Sequence, residues 1–217
     1  MEIAKDINVV IVEDYNLTRT VEKYMCQNFE NIKVGADFDN AEDALSYISK
    51  NKVDMVLLDM WLPKMNGIEA SKILKRVNPE LKIIMVVPNL QDDGVLGSIF
   101  AEVDAFALND LDIHHFEKIM NIIFNGGYWF DFRFLHMIFK LVNILPKTDY
   151  YYLKELLTPV ELSVISLVLQ GVSKDNIASS LNLDVMELYV YVNSILKKLA
   201  KTSMAEQMLR CVKYDMV

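Results

Sequence analysis

Cysteine is nearly absent. Cys26 and Cys211 stand far apart and match no zinc or redox spacing, which excludes a disulfide framework and fits a reducing compartment. Histidine is almost as scarce, and His114, His115 and His136 have no partner pattern, so surface or capping roles are expected. No Gly-rich phosphate loop, Ser–His or Cys–His arrangement or metal-ligand His cluster occurs, and no enzymatic activity is expected. No run reaches the ~18 apolar residues of a membrane span. The opening MEIAKDINVV lacks a signal peptide's apolar core, so a cytoplasmic location is expected. Positive charge is also in deficit, with 22 Lys and Arg against 30 Asp and Glu and a formal charge of −8. A bulk polyanion binder is thereby excluded, and any nucleic-acid contact needs a local basic face. What is abundant is apolar material, 53% of 217 residues, enough for one large domain or two small ones.

Five short apolar runs punctuate the first half: Ile7–Val12, Ile32–Phe38, Val53–Leu58, Leu81–Val87 and Ala105–Leu108. Those containing VVIV, MVLL and IIMVV are continuous, as expected of strands buried on both faces. Helical patterns separate them. Leu17, Val21, Tyr24 and Met25 recur at helical spacing, and Asp39 or Asn40 can cap a helix carrying Ala44, Leu45 and Ile48. Gly67 precedes Ile68, Ile73 and Leu74, and segments 94–102 and 112–124 also read as helices. Alternating strands and helices imply a parallel α/β sheet with its ligand site at the strand carboxyl ends.

Glu13 and Asp14 directly follow the first run, and Asp59 follows the third. If those strands are neighbours, three carboxylates converge at one sheet edge. Clustered anions repel, and a hard divalent cation such as Mg²⁺ relieves the repulsion. The competing reading is that such acids merely begin solvated loops or cap helices.

The strings VVIVEDYN and LLDMWLPKMNG resemble the receiver domain of two-component response regulators over about residues 6–125. The resemblance implies that Asp59 is the phosphoacceptor, that Glu13 and Asp14 are the Mg²⁺-binding acid pair, and that Pro63 and Gly67 belong to the following loop. It also implies a flavodoxin-like five-stranded sheet of order 2-1-3-4-5, an order for which a receiver protein is a known example. Two departures fall on the site. Where receivers carry a Ser or Thr after strand four, this chain has Val87 followed by Pro88. Where they carry a phosphate-neutralising Lys after strand five, it has Asn109. Valine donates no hydrogen bond, and a neutral amide cannot replace an ammonium facing a dianion. No Ser or Thr lies in 81–91 and no Lys in 105–117, so a small register error does not restore them. Phe106 matches the aromatic switch position, although an aromatic on a last strand also serves as plain core. Asp59 is therefore expected to be phosphorylated poorly or not at all, with weak propagation.

Gly126–Gly127 suits a helix end. The aromatic-rich stretch YWFDFRFLHMIFKLVNILP follows, and its Phe132, Leu135, Ile138, Phe139 and Val142 fit a helical face up to Pro146. Two roles are open: a connector helix packing on the first domain or on a second subunit, and a helix completing the first domain's own core. Expected boundaries are 1–126, a 127–155 connector or linker, and 156–217.

From Leu157 the pattern is all helical. Thr158, Pro159 and Glu161 form an N-terminus signature. The first helix bears Leu162, Ile165, Val168 and Leu169, ending at Gly171. Ser173 caps a short second helix with Ile177, Ala178 and Leu181 inward. Asp184 and Glu187 open a third, with Leu188, Val192, Ile195, Leu196 and Leu199 on one side, and a last helix is expected from Ser203 towards Tyr214. A tight turn before the third helix fits a helix-turn-helix.

The frame LTPVELSVISLVLQGVSKDNIASSLNL, with NSILKKLA downstream, is similar to the LuxR-type (NarL/FixJ) DNA-binding domain. Departures again fall on the working surface. Tyr189 and Tyr191 stand where a Lys and a His are usual, Ser194 replaces an Asn, and Met204 an Arg. Residues 158–217 hold six basic and six acidic side chains, a poor balance for phosphate neutralisation. Two readings follow. In one, a dimeric, cytoplasmic regulator contacts DNA through Lys174, Lys197, Lys198 and Lys201, with Tyr189, Tyr191 and Asn193 meeting bases or phosphates. In the other, the tyrosine-bearing face binds protein. A sensor kinase or another regulatory protein is a further expected partner class, with no membrane partner.

Overall fold

The three unbroken apolar runs become central strands because their side chains are buried on both faces of a parallel sheet. The computed structural model describes residues 6–88, 103–127, 129–135, 139 and 155–200, and only the backbone of Asn193, Lys197 and Ala200. In the first half, strands β1 (Ile7–Val12), β2 (Ile32–Phe38), β3 (Met55–Asp59), β4 (Lys82–Val87) and β5 (Ala105–Leu108) alternate with helices. The helices are α1 (Asn16–Gln27), α2 (Ala41–Ile48), α3 (Gly67–Val77) and α4 (Ile113–Phe124). A short β6 (Trp129–Phe130) extends the sheet to six strands in the order β2-β1-β3-β4-β5-β6, where five were expected. The Trp129 amide donates to the Asp104 carbonyl at 2.9 Å, so the stretch read as the start of a connector first serves as an edge strand. The β1–β3 and β3–β4 registers pair Val12 with Leu58 and Asp59 with Val86, bringing the carboxyl ends of β1, β3 and β4 together.

Local chemistry explains the helix starts. Asn40 accepts from the Asp43 amide, Asn66 from Glu69 and Asp112 from His115, each an N-cap at the expected spacing. Helix α1 departs from expectation. Leu17, Val21 and Tyr24 are 65%, 53% and 65% exposed, whereas Glu22, Met25 and Cys26 face inward. The helical period is correct and its burial face is rotated, because two apolar stripes compete on one helix. Burial pushes the Cys26 thiol up to about 12, an unreactive core position. Asp104, also buried, is compensated by Lys75 at 2.6 Å, Lys82 at 3.3 Å and the Ile83 amide.

The described residues divide into two units, 6–88 with 103–129, and 130 onward. In the second, 132–135 form a helical turn, and Phe134, Leu135 and Phe139 are buried. Ile138 and Val142, the segment 94–102, His136 and the last helix expected from Ser203 lie outside the described residues. Helices α5 (Pro159–Leu169), α6 (Lys174–Ser180) and α7 (Val185–Ala200) follow. The turn at Gly171 has φ +74°, a conformation glycine adopts without Cβ strain. On α7, Leu188, Val192, Ile195, Leu196 and Leu199 are all buried, as their spacing requires. Among the described residues no helix is long and apolar enough to cross a membrane.

Candidate functional site

The three acids meet. Glu13 and Asp59 are buried, Asp14 is exposed, and each offers an oxygen within 4.8 Å of the others. Parallel pairing of β1 with β3 produces this, because both acids end their strands at the same edge. Glu13 Oε1 accepts from the Tyr15 amide at 2.9 Å. The Arg19 guanidinium donates to the Glu13 carbonyl and pairs with Asp37 at 3.2 Å, which turns its charge largely toward Asp37. Gly67 completes the floor: a Cβ there would lie 2.2 Å from the Asp59 carbonyl, so only glycine lets α3 start this close to Asp59.

Burial, reinforced by Asp59 and Asp14, pushes the Glu13 carboxyl up to about 7. Burial, then the charge of Asp14, pushes Asp59 up to about 6, while the Trp61 and Met60 amides hold it down. The fold thus keeps protons that the unfolded chain releases near 4.5 and 3.8. Over that interval the folded state binds more protons, so stability falls as pH rises toward 7. After solvent screening the loss is on the order of 2 kcal/mol. Urea unfolding in chelator is expected to give a lower midpoint for this unit at pH 8 than at pH 5.5. Equal midpoints would contradict the cluster's electrostatics.

The departures sit beside this cluster. Val87 is fully buried, Asn109 is exposed, and the Asn109 amide donates to the Val87 carbonyl at 2.9 Å. A β-branched hydrocarbon and a neutral amide therefore occupy adjoining strand ends next to Asp59. Phe106 is buried in β5 as core. Sequence reasoning missed Glu22, a buried acid on α1 whose Oε2 has no hydrogen-bond partner among the described residues. Its only sequence signal is an acid one turn before Met25 and Cys26.

In the second unit, Glu161 organises the helices. Its carboxylate accepts from the Thr158 amide (2.6 Å), Ser194 Oγ (2.6 Å) and Lys198 Nζ (2.7 and 2.9 Å). Lys198, expected at DNA, instead has its ammonium committed to this carboxylate. Tyr189 needs a second correction. It is buried at 3% exposure, and burial followed by the charges of Asp131 and Asp175 raises its hydroxyl pKa. A ring packed inside the unit does not reach a base edge. Tyr191 and Lys174 are half-buried, while Met186 and Val190 are exposed at 48% and 67%. The side chains of Asn193 and Lys197, and all of Lys201, lie outside the described residues.

Residues 9–116 match the response regulator receiver domain family. The response regulator protein VraR of Staphylococcus epidermidis is 23% identical over 211 residues, covering 97% of this chain and 99% of VraR. VraR of Staphylococcus aureus is 22% identical over the same length. Among solved structures, RcsB of Salmonella enterica serovar Typhimurium bound to promoter DNA with a phosphomimetic superposes at TM-score 0.58. That likeness has 18% identity and covers 95% of this chain and 97% of RcsB. A LuxR-family two-component response regulator from Aurantimonas superposes at TM-score 0.51 with 19% identity, covering 56% of this chain and 87% of the other. At these identities the structural likenesses establish the two-part fold.

Proposed function

Since the chain belongs to the response regulators, as a LuxR-type member with an α/β receiver and a helical carboxyl-terminal domain, we propose that it is a cytoplasmic transcriptional regulator that binds DNA as a dimer without requiring phosphorylation of Asp59. The observation that carries this reading is the pairing of Val87 with Asn109 at the strand ends beside Asp59. At these two positions a phosphoryl group would meet neither a hydroxyl donor nor a lysine, so a covalent mark would lose the contacts that stabilise and transmit it. Glu13, Asp14 and Asp59 would hold Mg²⁺, which supplies positive charge among the carboxylates. The residues assigned to DNA are Lys174, Tyr191, Asn193, Lys197 and Lys201, and pairing of two subunits adds the second half-site that so few cations need.

A second reading, protein binding by the same helix, is favoured by the exposed Met186 and Val190 on α7, by the burial of Tyr189 and by the ion pair that engages Lys198. A mobility shift on random genomic fragments at low salt separates the two. DNA regulation predicts retention by the unmodified protein, and at least tenfold weaker retention on changing Lys197 and Lys201 together to Glu. No retention of any DNA at low salt would refute it in favour of a protein partner.

A further inference from the structure

Glu22 is a carboxyl where α1 should present hydrocarbon. It is 5% exposed, its inward neighbours are Met25 and Cys26, and its Oε2 lacks a hydrogen-bond partner among the described residues. A carboxyl oxygen so deeply placed and without a partner is destabilising unless something balances it. The cations of its own helix are engaged elsewhere: Arg19 and Lys23 both pair with Asp37, at 3.2 and 2.6 Å. Burial first, then the charges of Glu13 and Asp59, raise its pKa well above the carboxylate range, and Arg19 offsets them only in part. The orphaned acid therefore lies within the field of two of the three clustered carboxylates. It is not one of the set whose oxygens approach within 4.8 Å of one another.

We infer that Glu22 is an outer member of the cation site, its free oxygen accepting hydrogen bonds from water carried by an ion that Glu13, Asp14 and Asp59 hold. Mg²⁺ and its analogue Mn²⁺ part with water reluctantly, and the hydrogens of retained water need acceptors. Outer acceptors of this kind typically change metal affinity by about 10- to 100-fold. A buried oxygen without a partner is what such a water would satisfy, and an ion nearby would add to the partial compensation that Arg19 gives. The inference rests on the reading that the acidic pocket holds a divalent cation.

The test uses the full chain with Mn²⁺ alone as the probe. Free Mn²⁺ is followed by electron paramagnetic resonance, with Mg²⁺ as competitor. Water-proton relaxation of the bound ion reports on its coordinated water. Glu22→Gln keeps shape and removes charge, and Glu22→Leu removes the acceptor altogether. Expected is one Mn²⁺ per unmodified chain, affinity lower by about 10-fold or more in Glu22→Gln and lower still in Glu22→Leu, with altered water relaxation. Metal-free melting of Glu22→Gln should be unchanged or higher, because an unpaired acid has been removed. If both variants bind Mn²⁺ as the unmodified chain does, the role of Glu22 is overturned while the cation site stands. If the unmodified chain binds no Mn²⁺, the cation reading falls and this inference with it.

Discussion

Installing the two missing groups together, as Val87→Thr with Asn109→Lys, is expected to turn a chain that acetyl phosphate scarcely labels into one that it labels readily on Asp59. Asn109 is exposed, so a lysine enters without disturbing packing. Val87 is fully buried, and its hydroxyl-bearing replacement has nearly the same shape, though it loses about 1–3 kcal/mol if the hydroxyl finds no partner. Against a phosphoryl dianion, each added charge-assisted hydrogen bond contributes about 1.5–3 kcal/mol, roughly 10- to 100-fold per group. The adjoining positions, linked by the Asn109–Val87 backbone hydrogen bond, let both donors act on one site. The single variants should each fall short of the pair. Labelling of the double variant no better than that of the unmodified chain would mean that the pocket fails for some other reason.

The second large effect lies in the helical unit. Glu161→Ala is expected to lower its stability by about 3–5 kcal/mol, a large part of what a small domain has. The carboxylate is 2% exposed and joins the start of α5 to Ser194 and Lys198 of α7. Its removal leaves the Lys198 ammonium, the Ser194 hydroxyl and the Thr158 amide without their acceptor. Burial alone would raise the Glu161 pKa, but Lys198, Ser194 and Thr158 more than offset it and leave it lowered. A lowered pKa means that this contribution is present at neutral pH and lost on acidification below the ordinary carboxylate range. Thermal unfolding followed by circular dichroism should show an early transition in Glu161→Ala, with Glu161→Gln intermediate. An unshifted melt would show that the network is incidental.

Much of this was legible in the residues. Strands β1, β2 and β5 begin and end where their apolar runs do, and the α2 and α5 caps fall at the signalled Asn40 and Thr158, whereas the Asn66 and Asp112 caps of α3 and α4 were not signalled. Helix α7 buries all five of its expected residues, three leucines, an isoleucine and a valine, because one stripe dominates it. Convergence of Glu13, Asp14 and Asp59 followed from strand adjacency alone. What misled was competition between stripes. On α1, Leu17, Val21 and Tyr24 keep helical spacing but face outward, while an acid faces inward. Residue type likewise hid the partners of Lys198 and Tyr189: a lysine and a tyrosine on a recognition-type helix suggest nucleic acid, whereas Glu161 holds one and packing withdraws the other. Long-range pairings of this kind, such as Asp104 with Lys75 and Lys82, have no local signature. The edge strand at Trp129–Phe130 was obscured by its brevity, since two residues carry no period.

Val87 and Asn109 put no hydroxyl and no ammonium at their two strand ends, which is the ground for proposing regulation without a phosphoryl mark. DNA retention by the unmodified chain, measured with Mg²⁺ in the presence and absence of beryllofluoride, examines that most directly. The affinity and the subunit number should stay the same within twofold. A gain of tenfold or more, accompanied by a change in assembly, would show that the pocket still reads the mark and would contradict the account.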